Sequence, residues 1–498
     1  MSLQGQSFET VIGLECHVQL LTESKLFSPA PNRYGDPPNT NVDVVDAGLP
    51  GVLPVVNMRA VEFAVRLGLA LNCDIRAENV FARKHYFYPD LPKGYQISQF
   101  ELPICENGSL EIETKEGRKT IGITRIHMEE DAGKNIHVSG QPVSLCDYNR
   151  AGTPLLEVVS EPDLRSADEA MAYMRALRQI VTYLEICDGN MQEGSMRADA
   201  NISVMPKGSD VFGERTEMKN LNSIRFLGQA IQYESSRQIR EVKAGKTINL
   251  ETRLWDPDKK ESRAMRGKEE AHDYRYFPDP DLLPVCVKPE DLELIRSSLP
   301  ELPEAKRLRF QNEFSLSPQD AHVLTDTRDV ADYFEQALKV HANPKSVANW
   351  VINDVLRVAK ERAASEQQGS EAEGTGVSIQ HCGIPPGHIG ELVALIDNKT
   401  ITGKIAKNVF AEMESGDQKA PEAIVMEKGW KVERDTGALE GLIAQVIQDN
   451  PKQVGQYLAG KEKLLGYFVG QVMKATKGQA DPAELNRLIR DALSKASP

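Results

Sequence analysis

Glu15 and His17 lie two residues apart in a β-like run near the start of the sequence. The pleat of a strand turns both side chains to one face, while the neighbouring Leu14 and Cys16 point to the other. A carboxylate and an imidazole therefore share one surface. A polar strand face can also do no more than keep a sheet soluble, and for a single pair that interpretation is the stronger one.

The same alternation of polar side chains returns in other strand-like runs. Its members are Arg197, Asp199 and Asn201 in one run, Glu217 and Lys219 in a second, and Glu130 at the end of a third that begins near Ile121. Gathered carboxylates raise one another's pKa unless a cation lies between them. Oxygen ligands with one imidazole favour Mg²⁺ or Mn²⁺ over zinc, and Mg²⁺ implies phosphate chemistry because it bridges carboxylates to nucleotide oxygens.

Standard nucleotide-binding motifs are missing from the sequence. Residues 402–405, T-G-K-I, lack both the upstream glycine and the Ser or Thr of a phosphate loop, and we predict that they are structural. An ATP site would therefore need another design. The cationic residues that could hold its phosphates are Arg83, Lys84, Lys93, Lys219 and Arg275, although each could equally be a surface or ion-pair residue.

Short β-favouring runs, separated by Gly, Pro and Asn turns, must position these polar faces up to about Val287. A helix is predicted from Ser166, its N-cap, to Ile186, and a helical pattern follows residues 299–303, with Asn343 capping a helix that starts at Pro344. We therefore predict an α+β N-terminal cradle domain with a mixed or antiparallel sheet, an all-α helical domain and an all-α tail domain. Their predicted ranges are residues 1–295, 296–396 and 397–498.

The tail has a local basic excess. Residues 451–480 hold five lysines, among them Lys461, Lys463, Lys474 and Lys477, against a single acidic residue. Aromatic residues lie between them, and lysines with nearby aromatics suit the phosphates and exposed bases of an RNA. Composition alone favours the simpler interpretation, in which the aromatics are core residues and the lysines form a solvated face.

The composition limits the class of protein. A chain of 498 residues exceeds one ordinary core, and its net charge of −14 argues against a protein that coats nucleic acid generally. Seven cysteines without a CxxC pair indicate a reducing compartment, so we expect a cytoplasmic protein. We expect no membrane insertion, because the sequence has no run of the ~18 apolar residues that a spanning helix needs.

The stretch Asp147 to Glu157, D-Y-N-R-A-G-T-P-L-L-E, is poor material for a core element, and we predict a site there. It resembles the signature of the B subunits of aspartyl/glutamyl-tRNA amidotransferases. The resemblance covers practically the whole chain. It continues in V-I-G-L-E-C-H-V, Y-F-Y-P-D-L-P-K-G-Y-Q-I-S-Q, H-M-E-E-D-A-G-K, E-G-S-M-R-A-D-A-N, K-N-L-N-S and G-Q-V-M-K-A-T-K-G-Q-A.

The resemblance implies roles for several of these residues, with ATP and Mg²⁺ as cofactors. His17, Glu130 and Glu157 would bind the catalytic metal, and Lys219 would assist catalysis. The other acidic positions near the metal would be Glu15, Glu129, Glu193, Asp199 and Glu217. Tyr95 and Asn201 join the cationic residues as candidates for ATP binding. Tyr86, Tyr88 and Tyr95 could recognise a ribose, an adenine or the aminoacylated tRNA end, or could simply pack in strands. The tail lysines would contact tRNA.

The implied reaction converts Glu-tRNA(Gln) or Asp-tRNA(Asn) into its amide. Phosphorylation by ATP would give the side-chain carboxylate a leaving group that ammonia can displace. The resemblance implies a heterotrimer in which an amidase A subunit releases the ammonia from glutamine and a small C subunit clamps the two larger chains together. Two other hypotheses remain open: a noncatalytic tRNA-binding scaffold, and a metal-dependent phosphohydrolase that needs neither tRNA nor ammonia.

Overall fold

A computed structural model of the chain describes residues 6–138, 140, 142–267, 274–366, 378–416, 419–432, 436–476, 480 and 482–495. It divides into two compact units, one that ends at Pro303 and one that begins at Glu304. The first is α+β with a mixed sheet and the second is helical, which confirms the predicted fold class. The domain boundaries at residues 295 and 396 stay predictions.

The N-terminal unit is built on a large twisted sheet. In chain order its unit contains β1 (Phe8–Gln19), β2 (Asp74–Ile75), β3 (Glu78–Asn79), β4 (Phe81–His85), β5 (Tyr95–Gln99), β6 (Cys105–Thr114), β7 (Gly117–Glu130), β8 (Lys134–His137), β9 (Ser144–Asp147), β10 (Pro154–Ser160), β11 (Met196–Pro206), β12 (Thr216–Leu221), β13 (Glu251–Asp256), β14 (Glu261–Gly267), β15 (Phe277–Pro278) and β16 (Val285–Cys286). The spatial order is β14-β13-β12-β11-β1-β10-β7-β5-β4-β15, with β6 paired to β7 and β2 to β6. β12 and β13 are parallel, whereas β1 is antiparallel to both of its neighbours.

Helices cover the apolar face of this sheet. They are α1 (Met58–Ala70), α2 (Ala167–Tyr183) and α3 (Ile224–Lys243), and α4 (Pro289–Ser298) packs against α1. The predicted cap of α2 is confirmed, because the Ser166 side chain accepts a hydrogen bond from the Glu169 amide. Under α2, the Cys16 thiol lies 3.3 Å from the sulfur of Met174. Since β1 turns Cys16 into this core, it must turn Glu15 and His17 to the opposite face.

The C-terminal unit contains α5 (Pro303–Phe314), α6 (Pro318–Leu324), α7 (Arg328–Val340), α8 (Pro344–Trp350), α9 (Leu356–Glu366), α10 (Pro386–Asp397), α11 (Gly403–Glu414), α12 (Pro421–Lys428), α13 (Thr436–Asp449), α14 (Pro451–Leu458), α15 (Leu465–Ala475) and α16 (Pro482–Lys495). The cap predicted at Asn343 is confirmed by its hydrogen bond from the Ser346 amide. One apolar cluster surrounds Phe334, and another surrounds Phe468. Within the described residues, no helix is long and apolar enough to cross a membrane.

Candidate metal and nucleotide site

Three neighbouring strands place ionisable side chains in a row across the polar face of the sheet. His17 on β1 is directly opposite Glu157 on β10, and Glu157 is opposite His127 on β7. Directly opposed residues of antiparallel strands share a face. Glu129 follows His127 by two residues and therefore lies on that face as well. The register thus brings two imidazoles and two carboxylates together.

The side chains of His17, Glu129 and Glu157 converge on one point. His17 Nε2 lies 3.4 Å from Glu157 Oε2 and 3.8 Å from Glu129 Oε1. One ligand atom from each residue lies within 4.8 Å of the other two. The Ser98 hydroxyl donates to Glu129 Oε2 at 3.3 Å and helps to fix that carboxylate. One imidazole with two carboxylates is a donor set that fits Mg²⁺ or Mn²⁺.

Electrostatics in this cluster favour positive charge beside the carboxylates. Burial opposes charge on Glu157, but His127 and His17 outweigh it and hold the pKa of Glu157 well below its usual range. Burial also opposes protonation of His17, yet Glu157 and Glu129 outweigh it and raise the His17 pKa. The same two carboxylates raise the pKa of the buried His127 to about 9. A cation that binds here would meet a field already arranged for it.

A second acidic row continues the polar face on β1, β11 and β12. Glu15 is opposite Asp199 and accepts a hydrogen bond from the side-chain Nδ2 of Asn201 at 2.8 Å. The Lys219 ammonium lies 3.3 Å from Asp199 and 3.1 Å from Glu217. Burial and the nearby Glu157 raise the pKa of Glu15, whereas Asp199 and Glu217 overcome burial and raise the pKa of Lys219. Lys219 is therefore a charged group within an acidic surface.

A cleft of about 350 Å³ opens beside the cluster, lined by residues that include His17, Arg197, Asp199, Lys219, Asn220 and Asn222. Arg197 donates to Asp131 at 2.8 Å through one nitrogen. Its Nε is buried, and no residue in the described part of the chain accepts a hydrogen bond from it. A partly exposed guanidinium side chain and an ammonium at one cleft suit the oxygens of a phosphate group.

Glu130 does not join His17 and Glu157, which corrects the placement that the resemblance implied. Its carboxylate forms an ion pair with Lys93 and accepts from the Ile97 amide at 2.9 Å. Consecutive residues of a strand point to opposite faces, so Glu129 and Glu130 cannot both face His17. Glu129 is the glutamate whose carboxylate lies near His17 and Glu157, where we expected Glu130. Lys93 forms an ion pair with Glu130 and does not line the cleft.

Other predicted site residues lie away from the cleft. Glu193 is exposed in the turn before β11. Arg83 donates to Asp279 at 2.9 Å and to Asp281 at 2.8 Å, and its guanidinium lies over the Tyr95 ring. These contacts connect Arg83 on β4 with Tyr95 on β5 and with the two aspartates, and neither Arg83 nor Tyr95 lines the cleft.

Lys84 and Arg275 differ in their relation to the cluster. Burial opposes the charge of Lys84, but Glu129 and other groups outweigh it and raise the Lys84 pKa. Lys84 therefore belongs to the surroundings of the metal candidate. Arg275 is exposed, with a left-handed backbone at φ 45°, and its carbonyl oxygen lies 3.2 Å from His85 Nδ1. The backbone of Arg275 therefore contacts the end of strand β4.

Several side chains of the 147–157 stretch hydrogen-bond to neighbouring loops, and the site that we predicted there stays a prediction. The Asp147 carboxylate accepts from the Asn39 amide at 3.0 Å, and the Asn149 side chain accepts from the Asn41 amide at 2.9 Å. Arg150 donates to two backbone carbonyls, at 2.9 and 2.7 Å. Short polar side chains satisfy turn backbones in this way. Glu157, the last residue of the stretch, is the member that reaches the cluster.

His127 is a site residue that our sequence reasoning missed. It precedes Glu129 by two residues in I-H-M-E-E, so the same alternation that identified Glu15 and His17 could have found it. Aromatic rings were also missed: Phe100 and Tyr276 stack with centroids 4.1 Å apart, and the Lys84 ammonium lies 5.0 Å from the Tyr274 ring.

The tail lysines Lys461, Lys463 and Lys474 are exposed, and Lys477 lies outside the described residues. Phe468 is fully buried, so this aromatic residue belongs to the core. Gly466, Gly470 and Lys474 are spaced by four residues along one face of helix α15, and Lys463 lies in the short 3-10 turn just before it. Open space lies over both glycines, which leaves the helix backbone accessible.

Comparisons with known proteins agree over nearly the whole chain. A family described as the GatB/GatE catalytic domain matches residues 10–293, and one described as a GatB domain matches residues 332–493. The chain is 55% identical over 493 residues to the B subunit of the aspartyl/glutamyl-tRNA(Asn/Gln) amidotransferase of Geobacter sulfurreducens, with 98% of this chain and 99% of that protein covered. The corresponding protein of Alkalilimnicola ehrlichii, which has the same name, is 54% identical over 488 residues, with 98% and 99% covered.

Proposed function

Because this chain belongs to the family of aspartyl/glutamyl-tRNA amidotransferase B subunits, we propose that it activates the side-chain carboxylate of Glu-tRNA(Gln) or Asp-tRNA(Asn) for amidation. The convergence of His17, Glu129 and Glu157 beside the cleft that Arg197 and Lys219 line is the observation that carries this proposal. It supplies a cation site and phosphate-binding groups on one surface.

The proposed reaction has two steps. A carboxylate oxygen of the aminoacyl side chain attacks the γ-phosphorus of ATP, the bond to the β–γ bridging oxygen breaks, and ADP leaves. Ammonia then attacks the acyl carbon of the mixed anhydride, inorganic phosphate leaves, and the nitrogen loses a proton. The first step is needed because a carboxylate has no oxygen that can leave at neutral pH.

His17, Glu129 and Glu157 would hold Mg²⁺, and a bound Mg²⁺ would supply positive charge to stabilise phosphate oxygens. Lys219 is positioned by Asp199 and Glu217 so that its ammonium faces the cleft, where it would bind a phosphate oxygen. The partly exposed side chain of Arg197 would bind another. Both groups are held by carboxylates before a ligand arrives, so little reorganisation accompanies binding.

The ammonia would come from a partner, the amidase A subunit, within a heterotrimer that includes a small C subunit. The cysteine nearest the cluster in sequence supports this division of labour. Cys16 is fully buried, and burial raises the pKa of its thiol far above the range of a reactive cysteine. It cannot serve as a glutaminase nucleophile in this position.

The tail would bind tRNA through the α15 face that holds Gly466, Gly470 and Lys474, together with Lys463 just before the helix. Exposed lysines can neutralise phosphates, and glycines without a side chain above them let a sugar–phosphate backbone approach the helix. This surface lies far in sequence from the acidic strands, so we expect it to serve binding and not chemistry.

One assay on the reconstituted complex tests the proposal. ATP hydrolysis is measured with and without mischarged tRNA, and the amidated aminoacyl-tRNA is quantified in parallel. We expect hydrolysis that depends on the mischarged tRNA and product that also needs an ammonia donor. A scaffold would show no tRNA-dependent turnover, and a phosphohydrolase would turn over ATP equally well without tRNA; either result would refute the proposal.

A further inference from the structure

His127 occupies a position that mirrors that of His17. Its Nε2 lies 3.4 Å from Glu157 Oε2 and 3.8 Å from Glu129 Oε2, so it faces the same two carboxylates from the opposite side. The residue is 5% exposed and sits on β7, in register with Glu157. Geometry alone allows two roles, since His127 could ligate a cation or hold the carboxylates that do.

Arg125 decides between these roles. Its Nε–H donates to His127 Nδ1 at 3.4 Å. A guanidinium has no acceptor, so in the neutral ring Nδ1 is the lone-pair nitrogen and the proton resides on Nε2. Nε2 carries a proton in the fully protonated ring as well. A nitrogen that ligates a metal needs a free lone pair, so the Nε2 that faces Glu157 is a hydrogen-bond donor.

We infer that His127 is a positioning residue, whose Nε2–H holds the Glu157 carboxylate in the orientation in which it faces His17. The inference rests on the proposed cation site. Without this contact the carboxylate must be ordered by the cation itself, and residues that orient metal ligands typically contribute 10- to 100-fold in metal affinity. His127 therefore affects the affinity of the site without adding a ligand to it.

Two amide substitutions separate this role from simple packing. His127→Gln places an amide nitrogen near the position of the imidazole Nε2, whereas His127→Asn is one methylene shorter and leaves that position empty. Both substitutions introduce a polar side chain that is no larger than histidine, so we expect both proteins to fold. His137, an exposed histidine of β8 whose Nδ1 lies 2.9 Å from the Ser144 hydroxyl, provides a matched control through His137→Asn.

Mn²⁺ binding to the reconstituted complex, followed by electron paramagnetic resonance, gives affinity and stoichiometry without requiring turnover. We expect His127→Asn to lower Mn²⁺ affinity about 10- to 100-fold with unchanged stoichiometry. His127→Gln should recover most of the affinity, and His137→Asn should match the unchanged protein. In steady-state assays, His127→Asn should raise the metal concentration for half-maximal rate while kcat at saturating metal stays within a few-fold.

Two results would overturn the inference: loss of a bound Mn²⁺ equivalent in His127→Asn, which would make His127 a ligand, or equal affinities for the Asn and Gln variants. His17→Ala distinguishes this failure from failure of the proposed function. If His17→Ala abolishes Mn²⁺ binding while both His127 variants bind normally, only the role of His127 is wrong. If His17→Ala also binds normally, the proposed cation site is wrong.

Discussion

Two consecutive glutamates on β7 allow the cation site to be tested with nearly identical substitutions. Glu129→Gln removes one carboxylate from the cluster with His17 and Glu157. Glu130→Gln removes a carboxylate of the same strand that points to the other face and pairs with Lys93. We expect the first change to abolish metal binding and leave the fold intact, and the second to weaken the fold and leave metal binding intact.

The structure sets the size of both effects. Residues that only orient metal ligands contribute 10- to 100-fold, so loss of the ligand Glu129 should cost at least about 1.4 to 2.7 kcal/mol of metal-binding free energy. Glu130 is 2% exposed, and the Lys93 side chain is 8% exposed. Breaking a buried ion pair costs about 3–5 kcal/mol. Burial raises the pKa of Glu130 despite Lys93, so we expect the lower end of that range.

Mn²⁺ titration by electron paramagnetic resonance measures the first effect, and guanidinium unfolding of the purified chain measures the second. At saturating metal, turnover by Glu129→Gln should be near zero. Turnover by Glu130→Gln should be measurable at temperatures below the unfolding temperature of that variant. A Glu130→Gln protein with unchanged stability and no metal binding would refute the assignment of faces on β7, and with it the cluster as described.

Other substitutions and assays test the remaining proposals. Gly470→Ala should stabilise α15 by up to about 1 kcal/mol while weakening tRNA binding, and tighter or equal binding would contradict backbone approach at this face. Neutralising Lys461, Lys463 and Lys474 should lower the log–log salt slope of tRNA binding by roughly 0.7 to 0.9 per lost phosphate contact; an unchanged slope would mean that these lysines are only a solvated surface. The purified chain alone should release no glutamate from glutamine, which an amino-acid assay can detect. Hydrogen bonds from Arg237 and other groups outweigh burial and hold the pKa of Glu234 below its usual range, so its stabilisation is present above about pH 4 and is lost as pH falls further. The Glu234→Gln protein should therefore have a lower free energy of unfolding at pH 7 than the unchanged protein, and this free energy should change less as the pH becomes acidic. Parallel curves of unfolding free energy against pH would refute this.

Local rules in the sequence were sufficient for several elements. The helix after Ser166 follows from a capping residue and a helical spacing of apolar residues, and both are properties of neighbouring positions. The polar face of β1 follows from the period of two in Glu15 and His17. The prediction of Mg²⁺ or Mn²⁺ rests on the donor types and stays a prediction. The family follows from motifs spread along the whole chain.

Only the tertiary structure decided which residues form the site. Sequence alternation groups Glu129 with His127 and Glu130 with Met128, but it cannot show that the His127 face of β7 meets His17, because that depends on the pairing of β7 with β10 and of β10 with β1. It also could not show that Arg83 and Lys93 are already paired, because Asp279 is distant in sequence and Glu130 lies on another strand. The sequence by itself determined the chemistry available to this protein; the register of its strands determined which side chains meet.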